Sequence, residues 1–128
     1  MPADTNTNTK PRCIRVLILE DNATDAEINI RALRQAGFDP EWTLAQKESD
    51  FLAALETLPD LILSDYALPQ FDGIRAVEVL RERGLDIPFI LISGTLGEEV
   101  AVTSIKRGAD DYLLKGQMTR LGPAVTSA

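Results

Sequence analysis

The sequence places a polar or charged residue directly behind each of four apolar runs. Glu20 and Asp21 follow Ile14–Leu19, Asp65 follows Leu61–Ser64, Ser93 follows Ile87–Ile92, and Lys115 follows Tyr112–Leu114. If those ends share one rim, the carboxylates of Glu20, Asp21 and Asp65 repel and raise one another's proton affinity unless a cation neutralises them. An oxygen-only donor set selects a hard ion, Mg²⁺ first. A cation beside Asp65 with a lysine ammonium nearby is complementary to a phosphoryl group in transfer, the cations holding its oxygens while a carboxylate attacks. The Ser93 hydroxyl is then available to donate to the phosphoryl.

The rest of the composition narrows the field. The chain has no histidine, which removes Ser-His-Asp and Cys-His catalysis, a phosphohistidine of its own and every histidine metal site. Its one cysteine, Cys13, excludes an internal disulfide and fits a reducing compartment. A net charge of −7 disfavours nucleic acid or an anionic membrane as direct partner. No apolar run approaches the roughly 20 residues that span a bilayer, and Met1–Lys10 lacks the apolar core of a signal peptide, so the expected location is cytoplasmic. With 128 residues, 45% apolar and 26% charged, one domain over 12–128 is expected, preceded by a disordered arm over 1–11.

Positioning the chemistry requires strands and helices in alternation. Five short apolar runs recur with helical periodicity after them, the pattern of βα units wound into a parallel sheet, whose C-terminal strand ends form one ligand-binding rim. Ala26, Ile30 and Leu33 share a helical face that stops at Gly37; Trp42–Ala45 is a weaker strand after Pro40. Phe51, Leu52, Leu55 and Leu58 form a stripe ending at Pro59, and Ile74, Val77 and Leu80 another, with Asp72 as N-cap and Gly84 as stop. Ile87–Ile92 is read as the fourth strand, with Pro88 near its start. Glu98–Arg107 is a short helix stopped by Gly108, Asp110-Asp111 reads as a solvated pair at a strand entrance, and Asp111–Leu114 is the fifth strand. A last helix from Pro123 to Ala128 looks unfinished, which leads us to expect a piece of a longer protein.

Taken singly, these residues have plain readings: Glu20-Asp21 as a helix N-terminal acidic cluster, Ser93 as a turn hydroxyl, Lys115 as a surface charge, Tyr112 as a core aromatic. Taken together, Glu20-Asp21, Asp65 with Pro69 and Gly73 behind it, Ser93, and Tyr112-Leu113-Leu114-Lys115 resemble a response-regulator receiver domain over roughly Ile14 to Leu121. The resemblance implies a flavodoxin-like, doubly wound α/β fold: a five-stranded parallel sheet in the order 2-1-3-4-5 with five flanking helices. It also implies that Asp65 accepts a phosphoryl group from a histidine kinase or histidine phosphotransfer domain. Asp21, Asp65 and the Ala67 carbonyl would ligate Mg²⁺, with Glu20 acting through water. Lys115 would pair with the phosphoryl, Ser93 (or Thr95 in its place) would move toward it, and Tyr112 would turn inward. Such a domain catalyses only its own phosphorylation and dephosphorylation, and acts on an effector domain in the same chain or on a homodimer partner. Glu98, Val102 and Lys106, near Tyr112, are the expected signalling face.

Two departures stand out. Gly116 occupies the place after the lysine where the family usually has proline, and Gly94 follows Ser93 where alanine is frequent. They motivate a second reading, a docking module that works without phosphorylation. A third, a Mg²⁺-dependent phosphatase, would want an acid/base carboxylate two residues after the nucleophile, where Ala67 stands.

Overall fold

The computed structural model describes residues 12–68, 71–94 and 97–127. The expected arm over 1–11, Pro69, Thr95 and Ala128 lie outside them. The strands are β1 (Arg12–Leu19), β2 (Phe38–Ala45), β3 (Leu61–Asp65), β4 (Phe89–Ser93) and β5 (Asp111–Leu114). The helices are α1 (Ala23–Gln35), α2 (Glu48–Leu55), α3 (Gly73–Glu82), α4 (Glu98–Lys106) and α5 (Leu121–Ser127), with a 3₁₀ turn over Lys115–Arg120 before the last.

All strand pairs are parallel and the sheet order is β2-β1-β3-β4-β5, as the resemblance implied. Side chains alternate across a strand, so each strand feeds two core layers. Leu17, Leu19, Ile62, Phe89 and Leu91 pack with Phe51 and Leu55 of α2 and with Val77 and Leu80 of α3. Val16, Ile18, Leu61, Leu63, Ile90 and Ile92 pack with Ala26, Ile30 and Leu33 of α1 and with Leu121 and Ala124 of α5. Burial on both faces is why β3 and β4 read as unbroken apolar runs rather than alternating ones. Among the described residues, no helix is long and apolar enough to cross a membrane.

Four sequence readings need adjustment. Strand β2 begins at Phe38 and runs through Pro40. The proline is tolerated because β2 is an edge strand, with β1 as its one neighbour among the described residues. Strand β4 begins at Phe89, with Pro88 ahead of it as the acceptor for the Ile62 N–H at 2.9 Å. Helix α5 begins at Leu121, two residues before Pro123, because Leu121 and Ala124 are buried against α1 and packing supplies what so short a segment lacks in propensity.

Asp110 is exposed, as expected, but is more than a solvated charge: its Oδ2 accepts from the Phe89 N–H at 2.8 Å and from Arg81 Nη2 at 3.1 Å. The same guanidinium donates to the carbonyls of Gly108 (2.8 Å), Leu85 (3.0 Å) and Ile87 (3.1 Å), tying the end of α3 to the entrances of β4 and β5. A charged fork placed so satisfies several loop carbonyls at once, which a lysine could not do.

Candidate functional site

Strand register sets the site. Leu19 lies opposite Ser64, so Glu20 continues β1 at the level of Asp65. Asp65 lies opposite Ile92, and Ser93 opposite Leu114, so Ser93 and Lys115 each sit one step beyond on their own strands. The reversal of strand order between β1 and β3 opens the crevice at this rim. The structure therefore brings Glu20, Asp21, Asp65 and Lys115 together and puts Ser93 at the neighbouring strand end.

The turn after β3 is held from two sides. Asp65 Oδ1 accepts from the Ala67 N–H at 3.4 Å, and the Ser64 hydroxyl donates to the Asp65 carbonyl at 3.1 Å. The Asp72 side chain caps α3 by accepting from the Arg75 N–H at 2.8 Å, as expected. Gly73 opens α3 where a Cβ would lie 2.2 Å from Leu91 Cδ1 and 2.9 Å from the Asp65 carbonyl oxygen. Only glycine lets the helix start this close to the strand that carries Asp65.

One ligand oxygen from each of Glu20, Asp21 and Asp65 falls within a cluster in which all are within 4.8 Å of one another. Glu20 is 2% exposed and Asp65 6%, while Asp21 faces solvent. Burial, then the Asp65 charge, push the Glu20 carboxyl up to about 7, against the Asn22 N–H, which donates to its Oε2 at 3.2 Å, and the pull of Lys115. The repulsion expected from the sequence is thus present at Glu20. All-oxygen, anionic donors that crowd one another in the absence of a cation are a donor set that fits Mg²⁺.

Lys115 Nζ sits 2.7 Å from Asp25 Oδ2, 3.2 Å from Asp65 Oδ2 and 3.7 Å from Glu20 Oε1. Burial works to lower its pKa, but the Asp25 hydrogen bond and the Glu20 and Asp65 charges outweigh it, and the ammonium is held above its ordinary value. No peptide bond among the described residues is cis, so Lys115–Gly116 is trans, and the lysine reaches Asp65 with glycine behind it. Its stem passes Gly94, where a Cβ would stand 3.7 Å from Lys115 Cδ.

Ser93 is buried at the end of β4. Tyr112 is half-buried and packs against the core layer that contains Leu91 and Ala109, as does Val100 of α4. Ala67 is exposed just beyond Asp65. Sequence reasoning missed Asp25: four residues after Asp21 on the first turn of α1, it reads as one more helix N-terminal acid. Its faint signal was helical geometry, since a helix that starts at the rim leaves its first turn beside the strand ends.

A family model described as the response regulator receiver domain matches residues 16–125. Similar curated proteins include the phosphate regulon transcriptional regulatory protein PhoB of Klebsiella pneumoniae, 34% identical over 107 residues, covering 79% of this chain and 44% of that protein. Another is the transcriptional regulatory protein PrrA of Mycobacterium leprae, 34% identical over 101 residues, covering 79% of this chain and 43% of that one. The chain thus spans less than half the length of these relatives. Among solved structures, the signal receiver domain of NarL from Mycobacterium tuberculosis superposes with a TM-score of 0.79 at 25% identity, covering 91% of this chain and 96% of that one. The Francisella response regulator 1452 receiver domain gives 0.76 at 27% identity, covering 89% and 94%.

Proposed function

The chain belongs to the response regulator receiver domain family of two-component signalling, and from that premise we propose that Asp65 accepts a phosphoryl group from a phosphohistidine on a kinase or phosphotransfer partner. One observation carries the reading: the Asp65 carboxylate is buried at the rim with a lysine ammonium 3.2 Å away and the Glu20 and Asp21 oxygens within 4.8 Å. A Mg²⁺ ion held by Asp21, Asp65 and the Ala67 carbonyl, with Glu20 through water, would neutralise the oxygens of the incoming phosphoryl group.

An Asp65 oxygen attacks phosphorus while the P–N bond breaks. The electron pair of that bond leaves with the imidazole, which departs neutral when its other nitrogen carries a proton. Lys115 then pairs with the phosphoryl oxygens, and Ser93 donates a hydrogen bond to them. Hydrolysis reverses the state: water attacks phosphorus and Asp65 leaves as carboxylate, so the domain turns over no metabolite. Rearrangement of Ser93 and Tyr112 biases the packing of β4, β5 and α4, a charge-driven switch of modest free energy. The face read out includes Glu98, Val102 and Lys106 and acts on an effector domain in the same polypeptide or on a second copy of the chain, in the cytoplasm.

Lys115 reaching Asp65 across a trans Lys115–Gly116 bond favours this reading over a docking module that works without phosphorylation. The exposed Ala67 side chain offers no acid/base group for a phosphatase. Incubation with Mg²⁺ and acetyl phosphate is expected to add one phosphoryl group per chain by intact mass, and Asp65→Asn to abolish it. Equal labelling of the Asn variant would overturn the assignment.

A further inference from the structure

Lys115 is held by a residue outside the acceptor set. Of its carboxylate partners the nearest is Asp25 on α1, at 2.7 Å, against 3.2 Å to Asp65. Asp25 itself is placed rigidly: it lies in the first turn of α1, and its backbone N–H is capped by Asn22 Oδ1 at 3.1 Å. The glycines beside the lysine do not crowd it. A Cβ at Gly116 would meet nothing within 4 Å, and one at Gly94 would make only an ordinary contact with the lysine stem. The ammonium is therefore positioned from its tip, by the carboxylates it touches.

We propose that Asp25 is a positioning residue that competes with Asp65 for Lys115, whose ammonium touches both in the resting protein, so that a phosphoryl group on Asp65 must draw it away from α1. The inference rests on Asp65 as the acceptor. A phosphoryl group carries more negative charge and more acceptor oxygens than a carboxylate, so it can win the lysine, but only by weakening the Asp25 contact. Asp25 thereby lowers affinity for the phosphorylated state and links the first turn of α1 to occupancy of the site.

The test uses the chain with Mg²⁺ and beryllofluoride, a phosphoryl mimic, titrated by calorimetry. Asp25→Asn is expected to tighten binding by about three- to fivefold, the upper part of the range for one partly exposed ion pair. Asp25→Glu, which keeps a carboxylate in reach, should stay within about twofold of the wild type. So should Glu27→Gln, which removes an exposed charge from the same helix and controls for the general field. A merely structural Asp25 would weaken binding on removal. Unchanged or weaker binding in Asp25→Asn, or an equal gain in Glu27→Gln, overturns the proposal. If beryllofluoride binds the wild type and Asp65→Asn alike, the acceptor reading fails instead; binding that needs Asp65 but ignores Asp25 fails this inference alone.

Discussion

Glu20 shows how a single side chain records the charge of the site. Its carboxyl is pushed up to about 7 by burial first and by Asp65 second. A folded-state pKa above the unfolded value means that the native protein binds the extra proton between about 4.5 and about 7. The associated stability is fully present below the lower value and is lost as pH rises through the upper one. Metal-free protein is therefore expected to lose stability from pH 5 to pH 8, by up to ~3 kcal/mol, with Glu20→Gln flattening the slope in urea titrations. A steeper slope in the Gln variant would contradict this cause. The identities of Glu20, Asp21, Asp65, Ser93 and Lys115 were legible from their places behind apolar runs. Asp25 was not, because its partner lies 90 positions away and only packing of α1 against the 3₁₀ turn that begins at Lys115 brings the two together.

Helix α3 belongs to the site because of how closely it starts. The Gly73 N–H donates to the Tyr66 carbonyl at 3.2 Å, and a methyl group at Gly73 would overlap Leu91 and the Asp65 backbone. Gly73→Ala is expected to destabilise by about 1–3 kcal/mol and, by shifting Asp65, to slow acetyl-phosphate labelling by about tenfold. Loss of stability with unaltered labelling would show that α3 relaxes away without moving the acceptor. From sequence, Gly73 was one of the residues behind Asp65 that carry the resemblance; the need for glycine came from a neighbour on another strand. Helix stripes and stops were readable because they follow a 3.6-residue period and terminal residue chemistry. Strand β2 was read short, since an edge position excuses a proline and sequence does not announce which strands are edges.

At the scale of the whole molecule, the sheet carries the chemistry at one end and is tied together at the other. Arg81 and Asp110 join the end of α3 to the entrances of β4 and β5, at the rim away from Asp65. Arg81→Ala is expected to cost about 2–3 kcal/mol in denaturant unfolding, because it strips donors from several carbonyls. Asp65 labelling by acetyl phosphate should persist in conditions where the variant is folded; loss of labelling there would mean that the two ends are coupled. The sequence by itself determined the α/β class, the parallel winding and the residues that could bind a cation and take a phosphoryl group. Those depend on local periodicity and on which residue follows each apolar run. Tertiary structure alone decided which charges share a partner: the Lys115–Asp25 contact, the Arg81–Asp110 clamp and the close approach of Gly73 to Asp65. Each depends on distances between segments far apart in the chain, and those distances are set by packing both faces of the sheet at once.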